Sequence, residues 1–586
     1  MFLASLLLGL SACASASRGH SRNSTFYNPI FPGFYPDPSC IYVPEHDHTF
    51  FCASSSFNAF PGIPIHASKD LQNWKLIGHV LNRKEQLPRL AETNRSTSGI
   101  WAPTLRFHDD TFWLVTTLVD DDRPQADSSR WDNIIFKAKD PYDPESWSNA
   151  VHFNFTGYDT EPFWEGGKAY ITGAHAWQVG PYIQQAEVDL DTGAVGEWRI
   201  IWNGTGGMAP EGPHIYRKDG WYYLLAAEGG TGVDHMVTMA RSKKLSGPYE
   251  SYSGNPVLTN ANTTSYFQTV GHSDLFHDSN GNWWAVALST RSGPGYLHYP
   301  MGRETVMTAV SWPEGEWPTF TPISGKMSGW PMPPEQKDIR GVGPFVTPPT
   351  TSPSLPQEEH LTFPPHHPLP AHLTHWRYPI ATSYTASPAD HPNTLRLTPS
   401  RLNLTALNGN YAGPAGQTFI ARRQQHTLFS FSATLRFNPV VEGEEAGVTA
   451  FLTQNHHLDL GVVLLPLDGG GEGGGGAGEL VPHVRFRGES YTAVPAAVAF
   501  PVPEGWRDGG LVLEVRACNA SHYAFGVGPE GRRAERRVVM EVSNEAVSWG
   551  FTGTLLGIYA TTNGGNGSTP AYFSDWRYKP IEQFRD

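Results

Sequence analysis

Three acidic residues occupy similar short contexts in the first half of this chain. Asp37 lies in Y-P-D-P-S, Asp159 in G-Y-D-T-E-P and Glu211 in P-E-G-P-H. Two carboxyl groups on opposite sides of a sugar can break a glycosidic bond, because one protonates the leaving oxygen and the other activates water. The acid must hold its proton at working pH, and a neighbouring carboxylate raises its pKa by charge repulsion. Three carboxylates could therefore supply a base, an acid and a modulator, provided that the fold brings them together.

A strand-like segment recurs through the same half of the chain. Each copy places a polar turn before aromatic and aliphatic residues, and the leading aromatics are 52 to 62 residues apart. These aromatics are Phe50, Phe112, Tyr170, Tyr222 and Trp283. Helical periodicity is almost absent, and a repeat of this length is typical of a four-stranded propeller blade. The sequence therefore predicts a five-bladed β-propeller over residues 26–325.

A second strand-like segment precedes each of these aromatics. Its first residue lies 11 positions before the aromatic in four repeats, and 13 positions before it in the first, where the turn is longer. The five first residues are Asp37, Trp101, Asp159, Glu211 and His272. Equal intervals predict equivalent positions, and the innermost strand of each blade lines the central channel. We therefore expect these five side chains to form a ring at one mouth of the channel.

The second half of the chain has a different organisation. Residues 326–372 are rich in proline, which predicts an extended connection along the domain surfaces. Residues 373–586 return to a strand-like pattern, and the alternation in 426–437 suits a strand with one buried face. Many such strands predict a β-sandwich, so the expected fold class is all-β throughout. The glycine-rich tract 469–479 is predicted to be a surface loop.

Charge and composition restrict the partners of this protein. The formal net charge of the 586-residue chain is −14, and aromatic residues make up 12% of it. An acidic surface disfavours nucleic acid and anionic membranes as partners. No apolar segment is long enough to span a bilayer. The aromatic residues suit sugar stacking, although packing in β cores accounts for most of them.

Export is predicted from the N-terminus and from the sequons. Residues 1–18 combine a short apolar run with small residues of A-x-A character, as in a secretory signal peptide, but lack a charged n-region. Eight N-x-[ST] sequons support secretion to the extracellular space as a glycoprotein. They lie at Asn23, Asn94, Asn154, Asn203, Asn262, Asn403, Asn519 and Asn566.

The cysteines suggest at most one disulfide in the mature protein. Cys40 and Cys52 flank the turn P-E-H-D-H and could face each other across a hairpin, which leaves Cys518 unpaired. No cysteine spacing resembles a zinc site.

Seven motifs, in order across residues 28–320, resemble glycoside hydrolase family 43. They are N-P-I-F-P-G-F-Y-P-D-P-S, S-G-I-W-A-P-T-L, G-Y-D-T-E-P-F-W, E-G-P-H-I-Y, A-E-G-G-T, G-H-S-D-L and M-G-R-E-T. The resemblance implies that Asp37 is the general base and Glu211 the general acid. It implies that Asp159 orients the acid and tunes its pKa. Members of the family invert, so base and acid are expected about 6.5–9.5 Å apart, with room for water between them.

The resemblance also implies a set of substrate-binding residues. Trp101 corresponds to a subsite wall, and its position at the hub favours that role over the alternative of a core aromatic. Phe57 and Phe60 are expected to line the sugar pocket. Arg303 corresponds to an arginine that reaches the substrate, with simple charge compensation of the acids as the alternative. His235 is a further substrate-binding candidate.

His272 corresponds to a histidine on the propeller axis. In relatives that histidine holds a water or a calcium ion, and the alternative is a purely structural hydrogen-bonding role. The implied hydrolysis requires no cofactor, so calcium at the hub would be structural.

Three functions remain open at this point. Residues 373–586 resemble the concanavalin-like domain of many family-43 β-xylosidases, which favours an exo-acting enzyme that removes terminal xylose from xylooligosaccharides. The second candidate is an α-L-arabinofuranosidase acting on arabinoxylan or arabinan, and both activities could reside in one site. The third is a carbohydrate-binding propeller without catalysis, which would require the loss of a hub carboxylate, and none is lost.

Overall fold

β-Strands dominate the structure, and the helices among the described residues are nine short 3-10 turns. The structure is a computed structural model that describes residues 24–346, 358–410, 412–467 and 479–586. No helix in these ranges is long and apolar enough to cross a membrane. The predicted leader, Asn23 and all but the last residue of the glycine-rich tract lie outside them. The 3-10 helices are Pro44–His46, Lys84–Gln86, Pro88–Ala91, Ser128–Arg130, Pro144–Ser146, Ala381–Ser383, Glu504–Trp506, Arg533–Glu535 and Asn544–Val547.

Five four-stranded antiparallel sheets form the predicted propeller, and four of them are built from consecutive strands. In blade 1 the short strand Ala59–Phe60 lies in sequence between the second and third strands and belongs to another sheet. The first strands of neighbouring blades contact one another and so surround the central channel. Blade 1 contains Ser39–Val43, Thr49–Ala53, Gly62–Ser68 and Lys75–Leu81. Blade 2 contains Gly99–His108, Thr111–Val119, Trp131–Ala138 and Val151–Phe153. Blade 3 contains Gly157–Glu165, Lys168–His175, Ile183–Val188 and Arg199–Trp202. Blade 4 contains Glu211–Lys218, Trp221–Glu228, Met236–Ser242 and Glu250–Ser251. Blade 5 contains Phe267–His277, Trp283–Arg291, Glu304–Ser311 and Thr319–Phe320.

Turn chemistry sets the length of the inner hairpins. Blades 2, 3 and 4 join their first two strands through Asp109-Asp110, Gly166-Gly167 and Asp219-Gly220, and every one of these residues has positive φ. Two successive positive φ values define the turn whose twist matches that of paired strands. Blade 1 instead uses a longer turn that contains Pro44–His46. This difference explains the longer interval in the first repeat.

The predicted disulfide lies in the first hairpin of blade 1. Cys40 and Cys52 are directly opposite each other in the strand pairing, and their Cα atoms are 4.1 Å apart. The two residues are disulfide-bonded, which settles a pairing that the sequence left open, and Cys518 is a free, exposed thiol.

The connection after the propeller runs along both domains. Lys326–Ser328 pairs with the N-terminal strand Thr25–Tyr27, and residues 343–346 hydrogen-bond to the outer edge of blade 1. Glu359–Leu361 already belongs to the second domain, because it pairs with the C-terminal strand Ala571–Glu582. The predicted start of the sandwich at residue 373 is therefore too late. A three-residue strand within proline-rich sequence shows no periodicity that could have revealed it.

The second domain is the predicted β-sandwich, with an eight-stranded and a six-stranded sheet. Their facing surfaces share one apolar core, in which Phe431 and Trp576 from one sheet lie with Phe486 from the other. The eight-stranded sheet contains Glu359–Leu361, Tyr384–Ala386, Leu395–Leu397, Leu428–Arg436, Leu511–Ala517, His522–Pro529, Arg537–Ser543 and Ala571–Glu582. The six-stranded sheet contains Thr418–Arg423, Glu445–Thr453, His456–Pro466, Leu480–Glu489, Val498–Pro501 and Leu555–Thr561.

The two domains are joined by polar and apolar contacts. His375–Trp376 pairs with Ala59–Phe60 of the propeller. The buried guanidinium of Arg377 donates to two backbone carbonyls and one side-chain carbonyl of the propeller. An apolar cluster combines Phe57 of the propeller with Phe451 of the sandwich. These contacts place the edge of the sandwich beside the mouth of the channel.

Candidate active site

Each innermost strand is irregular near this mouth of the channel. In blades 2 to 4 the pairing shifts by one residue at one point, and the shift contains a residue with positive φ, namely Ala102, Asp159 or Gly212. Blade 5 has two such shifts, and the second contains His272, which also has positive φ. Asp37 has the same backbone conformation, with a φ of 51°, just before the first strand of blade 1. Because β-bulges redirect side chains, these five residues are the structurally equivalent hub positions.

The predicted ring is therefore wrong by one residue in two blades. Trp101 and Glu211 lie one position before the bulge, where an alanine and a glycine occupy the bulge itself. In these two blades the aromatic that ends the interval, Phe112 or Tyr222, is followed by a second aromatic, Trp113 or Tyr223. The interval from the bulge to the second aromatic is also 11 residues, so a slip of one residue leaves the interval unchanged.

A cavity of about 210 Å³ opens at the hub. All three predicted catalytic carboxyl groups line it, and so do most of the predicted binding residues. The lining residues are Asp37, Phe57, Trp101, Ala102, Tyr158, Asp159, Trp177, Met208, Ala209, Glu211, Gly230, Thr231, His272, Arg303 and Phe551. A larger groove of about 670 Å³ lies on blade 3, but its carboxylates Glu187, Asp189 and Glu197 are exposed to solvent. The hub cavity is therefore the candidate active site.

The environment of Asp37 favours its ionised form. Its carboxylate accepts hydrogen bonds from the Ser55 hydroxyl (2.6 Å) and from Nη1 of Arg303 (3.1 Å). Burial acts to raise the pKa of Asp37, but Arg303, His272 and Ser55 together outweigh burial and hold the pKa below its usual value. A buried carboxylate that stays ionised can accept a proton from water.

Glu211 and Asp159 have the opposite electrostatics. Burial and, to a smaller extent, the charge of Asp37 raise the pKa of Glu211 to about 7, although the hydrogen bond that Tyr158 donates to Oε2 acts to lower it. Burial, followed by the charges of Glu211 and Asp37, raises the pKa of Asp159 well above its usual value. Asp159 Oδ2 also accepts the backbone N–H of Gly212 at 3.0 Å, next to Glu211 in the chain. This pair can hold a proton at neutral pH beside an ionised Asp37.

The walls of the cavity come from both domains. Phe57, Trp101 and Phe551 pack together, with ring centroids 5.7 to 6.2 Å apart. Arg303 donates from Nη1 to the Thr231 hydroxyl and from Nε to the backbone carbonyl of Phe551. The sandwich therefore reaches into the site. The sequence did not identify Phe551, because no motif marks it and its position depends on domain packing.

Two predicted pocket residues lie elsewhere. Phe60 belongs to the cross-domain pair with His375 and packs edge-on against Tyr378, so it is an interface residue and does not line the cavity. Because this strand lies at the domain boundary, the side chain of Phe60 does not reach the hub. His235 is buried behind Glu211, with 3.9 Å between its Nε2 and Glu211 Oε1, and is likewise not part of the cavity wall.

His272 lies on the axis between two of the acids. Its Nδ1 is 3.9 Å from Asp37 Oδ1 and 3.9 Å from Asp159 Oδ2. A side chain at Gly212 would come within 3.0 Å of the His272 ring, so the glycine makes room for the imidazole. No group of three or more His, Cys, Asp or Glu side chains in the described part of the chain could hold a metal ion. These residues do not fit a calcium ion, and none enters the chemistry below.

A second ring lies one layer deeper in the channel. Arg106 bridges Glu161 (2.6 Å) and Asp274 (2.8 Å) and donates to Nδ1 of His214. The Ser39 hydroxyl also donates to Asp274. Burial acts to raise the pKa of Asp274, but Arg106 outweighs it and lowers the pKa to about 2. This salt-bridged layer forms a floor of fixed charge beneath the site.

The fold and the site together define a class of protein. Carboxyl groups with opposite pKa shifts, in an aromatic-walled cavity, constitute the acid–base machinery of glycoside hydrolases.

Comparison with known proteins identifies the family. The model of glycosyl hydrolases family 43 matches residues 26–318, and that of the β-xylosidase C-terminal concanavalin A-like domain matches residues 363–579. A non-reducing end α-L-arabinofuranosidase of Bacteroides ovatus is 32% identical over 94% of each chain. A xylosidase/arabinosidase of Butyrivibrio fibrisolvens is 31% identical over 95% of this chain and 99% of its own. The crystal structure of a xylan β-1,4-xylosidase from Bacillus halodurans matches 94% of this chain and all of its own, with a TM-score of 0.78 and 27% identity. The chain belongs to glycosyl hydrolase family 43.

Proposed function

We propose that this protein is a secreted, exo-acting β-xylosidase that removes terminal β-1,4-linked xylose from xylooligosaccharides or xylan with inversion. The observation that carries the proposal is the opposite pKa shift of Asp37 and Glu211 around one cavity. Exo action is supported by Phe551, with which the second domain adds to the wall of the cavity.

The proposed reaction is a single displacement. Asp37, ionised and held by Arg303, takes a proton from a water that attacks the anomeric carbon. Glu211 gives its proton to the glycosidic oxygen as the bond to the leaving sugar breaks. Burial and the charge of Asp37 keep the pKa of Glu211 high. Asp159 orients the strand that carries Glu211, because its carboxyl group accepts the Gly212 N–H. Trp101, Phe57 and Phe551 would stack against the sugar.

An α-L-arabinofuranosidase activity is the second candidate. The Bacteroides ovatus relative is named for that activity and the Butyrivibrio fibrisolvens relative for both. The machinery described above serves either sugar, so both activities in one site are consistent with it. A propeller that only binds carbohydrate would not need an acid with a pKa near 7.

Secretion is supported by the positions of the sequons. Of the seven within the described ranges, six have an exposed asparagine, namely Asn94, Asn154, Asn203, Asn262, Asn519 and Asn566. Asn403 is half-buried, and its side-chain oxygen accepts hydrogen bonds from Thr405 and Leu407. We expect glycans at the exposed positions and none at Asn403, which glycopeptide mass spectrometry of protein recovered from the culture medium would check.

Two measurements test the proposed activity. Release of 4-nitrophenol from the β-D-xyloside and the α-L-arabinofuranoside should be detectable, with the xyloside preferred, and inactivity on every pentoside would refute the enzyme assignment. NMR of the xylose first released from 4-nitrophenyl β-D-xyloside should show the α-anomer. A β-anomer would contradict the role of Asp37 as a base.

A further inference from the structure

His235 lies behind the proposed general acid. It follows the second strand of blade 4 and is 1% exposed. Its ring packs on Gly271, where an added Cβ would lie 2.5 Å from three ring atoms. Gly271 occupies the same pre-bulge position in blade 5 that Glu211 occupies in blade 4. The missing side chain in blade 5 therefore creates the space that the imidazole fills, beside the acid.

The hydrogen bonds of His235 define its tautomer. Nδ1 is 3.1 Å from the backbone carbonyl of Thr269, and a carbonyl can only accept, so Nδ1 carries the proton. Burial lowers the pKa of His235 to about 3, so the ring is neutral. Nε2 then has a lone pair, and it has no hydrogen-bond partner among the described residues.

The vacant lone pair faces one oxygen of the acid. Glu211 Oε2 accepts a hydrogen bond from Tyr158, whereas Oε1 lies 3.9 Å from Nε2 of His235. That separation exceeds a hydrogen bond by less than 1 Å, which a small rotation of the Glu211 side chain closes. A protonated Oε1 would then donate to an acceptor that is otherwise buried without a partner, which is a costly state for a polar group.

We propose that His235 is a positioning residue for the general acid: its Nε2 accepts the proton of Glu211 Oε1–H and orients the carboxyl group until the glycosidic oxygen replaces it. The proposal rests on the acid role of Glu211. It differs from the substrate-binding role implied by the sequence, since His235 is not part of the cavity wall. The other charged or titratable groups around the pair are Asp37, Tyr158, Asp159, His272 and Arg303.

A pair of substitutions at His235 tests the role in catalysis. His235→Met removes the acceptor, and His235→Gln keeps an acceptor oxygen. We expect His235→Met to lower kcat on xylobiose about 10- to 100-fold, because a misoriented acid protonates poorly. Its kcat on 4-nitrophenyl xyloside should fall much less, and KM should change little on either substrate. His235→Gln should retain most of the wild-type kcat.

The same variants test the effect on the acid's pKa. A hydrogen bond from the protonated acid stabilises its neutral form, so the loss of that bond should lower the pKa of Glu211. The alkaline limb of the pH profile should move down by about one unit in His235→Met, the equivalent of one neutral hydrogen bond. His79→Met, which removes a buried histidine of blade 1, is the matched control and should leave the limb in place.

An infrared titration measures the protonation of Glu211 and does not require enzymatic activity. The carboxylic C=O band that is present in wild type and missing in Glu211→Gln reports protonated Glu211, and the pH at which it disappears should fall by about one unit in His235→Met. This result would support the role of His235 even if the protein cleaved no pentoside. Equal increases in KM on both substrates would indicate a sugar contact instead. Unchanged titration, or a His235→Gln variant as impaired as His235→Met, would overturn the proposal.

Discussion

The propeller channel contains two rings of ionisable groups at different depths, and the two rings behave in opposite ways. On two of the inner strands their members lie two residues apart, namely Asp159 and Glu161 in blade 3 and His272 and Asp274 in blade 5. In the deeper ring, Arg106 pairs with both Glu161 and Asp274, and the pKa of Asp274 falls to about 2. In the outer ring, Arg303 pairs with Asp37, and burial raises the pKa values of Glu211 and Asp159.

The difference shows how one architecture can give both stability and reactivity. A buried carboxylate with its own cation stays ionised, as Asp274 does in the deeper ring and Asp37 in the outer ring. A buried carboxyl group without a cation of its own keeps a proton that it can donate. The alternation of side chains along each strand permits both in one channel, since residues two apart point to the same face. The predictions below each perturb one ring.

The largest effect is expected from Asp37→Asn in the outer ring. The amide cannot take a proton from water, so kcat on xylobiose should fall about 10²- to 10⁴-fold. Steady-state kinetics would measure this, and circular dichroism should show an unchanged fold. A variant with nearly full activity would remove Asp37 from the reaction.

Glu211→Ala should depend strongly on the leaving group. Without the acid, hydrolysis of xylobiose should be lost to a similar extent, about 10²- to 10⁴-fold, because its leaving oxygen needs a proton. Hydrolysis of 4-nitrophenyl xyloside should be spared more, since nitrophenolate leaves without one. Equal losses on both substrates would argue against the acid role.

Arg106→Met should act on stability, since it leaves two carboxylates of the deeper ring buried without their cation. The free energy of unfolding should fall by about 3–5 kcal/mol. Arg217→Met is the matched control, because the Arg217–Glu165 pair lies on the surface of the propeller and should contribute at most about 1 kcal/mol. Chemical denaturation of both variants would measure the difference, and equal losses would mean that the deeper ring contributes no special stability.

The pH profile of kcat/KM should depend on the protonation of the outer-ring residues Glu211 and Asp37 and not on the deeper ring. As pH rises through about 7, Glu211 loses its proton and activity should fall. As pH falls below the usual carboxyl range, Asp37 becomes protonated and activity should fall again, since its pKa is lowered. Initial rates between pH 3 and pH 9 would test both limbs. An alkaline limb at the ordinary pKa of a glutamate, near 4.3, would contradict the raised pKa.

Phe551→Ala should have the smallest effect. The substitution removes the aromatic side chain that the sandwich contributes to the cavity wall at the outer ring. The second domain contributes no such side chain to the deeper ring as described above. KM for xylobiose should rise about tenfold, as expected for the loss of an apolar contact to a substrate. Unfolding should be little affected. A KM equal to that of wild type would mean that the sandwich does not shape the site.

The sequence alone determined the fold class, the number of blades and the three carboxyl groups. Blade repeats are local patterns of turns and aromatic strands. The carboxyl groups lie in short contiguous motifs, which can be recognised without knowledge of the fold. The disulfide was also predictable, because Cys40 and Cys52 are neighbours across one hairpin.

Only the tertiary structure decided the register at the hub, because a β-bulge depends on a positive φ that pairing with the next strand stabilises. It placed Glu211 one position before the bulge and moved Phe60 to the domain interface. It also brought Phe551 to the cavity wall and His235 to the side of the general acid Glu211. Both residues come from segments that carry no motif. The pKa values of the carboxyl groups follow from burial and from distances to charges on other blades, and neither exists until the blades close around the axis.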